Sequence, residues 1–106
     1  MENKELIIAI VNPGNSDLVM NAAKEQGAGG GTVLTAKGTG RKGIEKILDM
    51  PVQQDKELVL IVVEKSKRDR VLKAINDNCG LDTAGHGVAF SIPVSDAMGF
   101  HINRDK

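Results

Sequence analysis

Two unbroken apolar runs, Leu6–Val11 and Leu58–Val63, constrain this chain more than any other feature. Each is rich in Ile and Val. A short, continuous apolar run with no polar interruption predicts a strand buried on both faces. Each is far shorter than the ~20 residues that cross a bilayer. The chain therefore has to be built around two central strands. Its 106 residues suit one domain, 1–106, with one core.

The remaining elements are read from periodicity and punctuation. Asn12-Pro13-Gly14-Asn15 is a turn. Asn15 or Ser16 is placed to cap the next helix, and Asp17 favours its positive end. Leu18, Val19, Ala22 and Ala23 follow at helical spacing, and Gly27 supplies a left-handed stop. Thr32–Ala36 alternates and is β-branched, a second strand. Gly38–Glu57 is the least regular stretch, a long loop in which Ile44, Ile47 and Leu48 form at most a turn or two of helix. A loop of that size in so small a domain is usually functional. After the third strand, Leu58–Val63, Ser66 and Asp69 have capping-box spacing. Val71, Leu72, Ile75 and Cys79 share a helical face, and Gly80 ends it. Val88, Phe90, Ile92 and Val94 alternate with Ala89, Ser91 and Pro93, a fourth strand that Pro93 confines to an edge or terminates. The order β-α-β-β-α-β predicts an α+β, ferredoxin-like domain. Its four-stranded antiparallel sheet carries two helices on one face, with strands one and three central. The other sheet face must be covered or solvated.

Composition narrows the function. Fourteen basic residues balance fourteen acidic ones, so the surplus of positive charge that nucleic acid or an acidic membrane demands is missing. Phe90 and Phe100 are the only aromatic residues, too few for a base-stacking platform. A single cysteine, Cys79, allows no internal disulfide and suits a reducing cytoplasm. No signal peptide is visible. Cys79 shares the register of Leu72 and Ile75 and is read as a buried helix residue.

Two glycine-bearing segments are the places where chemistry could sit. In Gly38-Thr39-Gly40-Arg41-Lys42-Gly43 the glycines let the backbone approach a ligand, and Arg41 and Lys42 suit phosphate. Its GxGxxG spacing follows the second strand, so it is not a dinucleotide-fold fingerprint. A flexible hinge with solvated charges accounts for it equally well. Gly85-His86-Gly87 precedes strand four. It reads as a second wall of an anion or nucleotide site, or as a turn that needs positive φ. His86, His101 and Cys79 lack metal-ligand spacing, and no catalytic Ser/His/Asp or paired-carboxylate arrangement stands out, so no enzyme activity is expected.

Taken together, the segments resemble the PII nitrogen-regulatory signalling proteins and their PII-like relatives. The likeness runs through Ile7–Pro13, Gly30–Gly40, Leu58–Val63 and Gly85–Phe90. Gly38-Thr39-Gly40-Arg41 stands where that family's T-loop starts, giving a T-loop-like segment of about 38–57. Gly85-His86-Gly87-Val88 stands at its B-loop. The resemblance implies a cytoplasmic homotrimer, a regulator rather than a catalyst. An effector such as ATP, ADP, AMP or a cyclic nucleotide would bind between subunits without being a tightly bound cofactor. The T-loop would signal to a protein partner such as a membrane transporter or a metabolic enzyme. The implied ligand contacts are Gly38, Thr39, Gly40, Arg41, Lys42, Gly85, His86, Gly87 and Val88. A Gly87→Val change is expected to block the site and spare the trimer. This chain departs from the family in having Val88 at the B-loop lysine and His86 at the acidic position. It has no arginine pair in Asp96–Ile102, and its loop lacks a tyrosine. The alternative reading is a CutA-like structural or metal-tolerance trimer without nucleotide sensing.

Overall fold

A computed structural model of the chain describes residues 3–37, 55–81 and 87–99. The elements are β1 (Lys4–Val11), α1 (Ser16–Glu25), β2 (Thr32–Lys37), β3 (Asp55–Glu64), α2 (Arg68–Cys79) and β4 (Gly87–Pro93). A 3-10 turn, Lys65–Lys67, leads into α2. The strands form one antiparallel sheet in the order β2-β3-β1-β4. The two apolar runs are the central strands, as their composition requires. Pro93 is the last residue of an edge strand, where its missing N–H breaks no ladder.

Both helices lie against one face of the sheet. Ile7, Ala9 and Val11 of β1, with Val59, Ile61 and Val63 of β3, are buried against Val19, Ala22 and Ala23 of α1 and Val71 and Ile75 of α2. The central strands are therefore not buried on both faces within one chain. In β1 burial alternates strictly, and Leu6, Ile8 and Ile10 keep part of their surface on the side without helices. Leu18, expected in the helical core stripe, is 46% exposed.

Caps differ from the simple expectations. At α1 neither Asn15 nor Ser16 supplies a side-chain cap. The carboxylate of Glu57 does that work from β3, accepting from the Gly14 and Ser16 N–H groups. At α2 there is no capping box: the 3-10 turn intervenes, and Asp69 Oδ1 instead accepts from Arg68 Nε at 2.9 Å. The C-terminal stops hold. Gly27 (φ +99°) and Gly80 (φ +67°) both adopt positive φ, where a Cβ would be strained. β3 begins at Asp55, so the last three residues of the expected loop are strand, paired with Thr35–Lys37.

Candidate functional site

The candidate site is one end of the sheet. There β1 and β2 finish and β3 and β4 begin: Lys37 faces Asp55, Val11 faces Glu57, and Val11 also faces Gly87. Both glycine-bearing segments join the sheet at this end. Gly38, Thr39, Gly40, Arg41, Lys42, Gly85 and His86 lie outside the described residues, as does the helical turn expected around Ile44–Leu48. Gly87 and Val88 are described. The topology places the strand ends that adjoin the two segments on opposite edges. Lys37 closes β2 and Gly87 opens β4, with β3 and β1 between them. Three strand spacings separate those edges, about 14 Å.

Gly87 opens β4 under tight constraint. Its φ is +140°, and a Cβ there would lie 2.6 Å from the Ile10 carbonyl oxygen and 3.1 Å from Val11 Cγ1. Backbone seats on backbone, so only glycine fits. Substitution with valine would push β4 off β1 before it blocked any ligand, which corrects the expectation that Gly87→Val is a clean probe. Val88 pairs with Ile10 and is half-buried on the sheet face without helices. Beside β4, an open cleft of about 520 Å³ runs between Gly87–Ala89, Leu81, and Leu72, Lys73 and Asn76 of α2. Its lining is mainly apolar.

Two residues that local sequence patterns do not single out tie this end together. Glu57 Oε1 accepts from the Gly14 and Ser16 backbone N–H groups, each at 3.2 Å. Lys56 Nζ donates to Asn12 Oδ1 at 2.8 Å. Burial holds the Lys56 amine below the usual lysine pKa. Partners more than 40 residues apart leave no local signature. Cys79 is buried as expected, and burial pushes its thiol pKa up, away from the reactive thiolate. Among the described residues no group of three or more His, Cys, Asp or Glu could hold a metal ion. No helix among them is long and apolar enough to cross a membrane.

The sequence profile of the family described as nitrogen regulatory protein P-II matches residues 4–103. The chain belongs to the P-II family. It is 32% identical over 95 residues to the nitrogen fixation nifHD1 region GlnB-like protein 1 of Methanosarcina barkeri, covering 88% of this chain and 90% of that protein. The crystal structure of Arabidopsis thaliana PII bound to citrate superposes with a TM-score of 0.67 at 28% identity, covering 89% of this chain and 79% of that one. Proteins of the P-II family are signalling and regulatory proteins, and this ferredoxin-like chain is one of them.

Proposed function

We propose that this P-II family protein is a homotrimeric sensor. It takes an adenine nucleotide or a similar small anionic ligand between subunits and controls a partner, such as a membrane transporter or a metabolic enzyme, through its 38–57 segment. The observation that supports this reading is the sheet face that no described helix covers. Ile8 and Ile10 of β1, Leu58 and Leu60 of β3, and Phe90 and Ile92 of β4 project from it, and Phe90 and Ile92 are among the most exposed large apolar residues. An apolar area reaching across the sheet marks a surface meant to be covered. Packing copies through this face favours bringing the β2 edge of one subunit beside the β4 edge of its neighbour. In such a trimer Gly38–Lys42 and Gly85–Val88 would form the two walls of one cleft, although the strand ends they adjoin, Lys37 and Gly87, lie about 14 Å apart across a single sheet.

In this arrangement backbone N–H groups of the glycines and the charges of Arg41, Lys42 and His86 meet the anionic part of the ligand. The citrate on the Arabidopsis relative is consistent with a family site that accepts a small polyanion. Calorimetric titration with ATP, ADP, AMP and cyclic nucleotides, alongside sedimentation velocity, tests the reading. Saturable micromolar binding of one nucleotide to a trimer is the expected result. A monomer, or a trimer that binds none of them at millimolar concentration, would defeat it. Copper or zinc binding in place of nucleotide would support the CutA-like alternative.

A further inference from the structure

Glu57 stands where the chain re-enters the sheet after residues 38–54, and both acceptor contacts of its Oε1 reach back across the fold to the turn after β1. That turn is itself well defined. The Asn15 N–H donates to the Asn12 carbonyl at 3.1 Å, Pro13 occupies the second position, and Gly14 has φ +92° at the third, the pattern of a type II turn. Lys56 holds the first residue of the same turn through Asn12 Oδ1. The other flank of β1 is held by Gly87, which packs on the Ile10 carbonyl with no room for a Cβ. The end of β1 is thus gripped from both sides. A close-packed contact of this kind passes a displacement on instead of absorbing it.

We propose that Glu57 is a positioning residue that links the return of the 38–54 segment to the start of β4 through the turn at the end of β1. Its role runs through the Gly14 and Ser16 N–H groups that its Oε1 accepts from. The inference rests on the sensor reading only for what moves the link, namely occupancy beside Gly87. It is distinct from a simple helix cap. A cap stabilises the first turn of α1, where a carboxylate also favours the helix dipole, and has no consequence on the far side of β1.

Amide hydrogen exchange on the intact protein separates the two, using Glu57→Ala and Glu57→Gln. The glutamine amide oxygen can still accept from Gly14 and Ser16. Glu57→Ala should accelerate ligand-free exchange by roughly ten-fold, the effect of one charge-assisted hydrogen bond. The acceleration should appear at Gly14 and Ser16 and also at Gly87–Phe90, with Glu57→Gln within about three-fold of wild type at Gly87–Phe90. Acceleration confined to Gly14, Ser16 and the first turn of α1 would reduce Glu57 to a cap and overturn the proposal. Equal acceleration at core Ile61 and Ile75 would mark general loosening and overturn it too. A second arm repeats the exchange at saturating ATP or ADP. If wild type binds neither nucleotide, the sensor reading fails and the ligand-free pattern still decides the link. If it binds, the nucleotide should slow exchange at Asp55–Glu57 in wild type and leave it unchanged in Glu57→Ala. A variant that responds like wild type would overturn the link and leave the sensor reading standing.

Discussion

Single residues at this end of the sheet carry unequal constraints, and the differences are measurable. Gly14 and Gly87 both have positive φ, but a Cβ at Gly14 meets nothing within 4 Å whereas one at Gly87 meets the Ile10 carbonyl oxygen. Gly14→Ala should therefore cost about 1 kcal/mol, the backbone penalty alone. Gly87→Ala should cost more, about 1–3 kcal/mol, because strand pairing must shift as well. Urea denaturation of both variants checks the order, and equal costs would contradict the tight seat of Gly87. Cys79 supplies a pH test. Burial raises its folded pKa above the unfolded thiol value of about 8.5. Its contribution is intact below that pH and is lost as pH rises towards the folded value. The stability difference between wild type and Cys79→Ala should narrow from pH 7.5 to 9.5. A constant difference would mean the thiol is not perturbed.

At the scale of elements, the helices are held by contacts of two kinds. The end of α1 is closed by its own backbone: the Gly27 N–H donates to Lys24 at 3.0 Å and the Ala28 N–H to Ala23 at 3.1 Å, a Schellman arrangement around Gly27. Cations from the following helical segment then reach the free carbonyls. Lys67 Nζ donates to Gly27 O at 3.2 Å and Arg70 Nε to Gln26 O at 3.4 Å. These charges oppose the negative end of the helix dipole, so Lys67→Met should destabilise by about 0.3–1 kcal/mol. The loss should shrink in high salt, which thermal unfolding at two ionic strengths would show. The core contacts weigh more. Ile75 is fully buried in α2 against the sheet, and Ile75→Ala should cost about 2–5 kcal/mol. The element pattern was legible because apolar period, glycine stops and the Pro-Gly turn all act locally. The start of β3 was not. Asp55, Lys56 and Glu57 read as loop by polarity, yet they pair with β2 because the sheet end tolerates charge where side chains reach solvent or a distant turn.

On the scale of the whole molecule, the deciding feature is where the large side chains of β4 point. Gly87, Ala89 and Ser91 are opposite Val11, Ala9 and Ile7 on the helix side, while Val88, Phe90 and Ile92 are on the uncovered side. The bulky set of this strand faces away from the chain's own core. If copies meet through this face as proposed, Leu60→Lys, central on it, should leave the monomer folded and break the trimer. Sedimentation should then give 11.3 kDa for the variant and three times that mass for the wild type. A trimeric Leu60→Lys protein would show that copies meet elsewhere.

Sequence alone determined the strands, helices and their order, the central place of Leu6–Val11 and Leu58–Val63, and the family likeness. Each follows from apolar runs, periodicity and turn residues that act over a few positions. Tertiary structure alone decided which sheet face the helices cover, and so which apolar residues of the sheet keep exposed surface. It also set Lys37 and Gly87 on opposite edges of one sheet end, and brought Glu57 and Lys56 onto a turn more than 40 residues earlier in the chain. These depend on strand order and register, which bring distant residues together and leave no trace in local pattern.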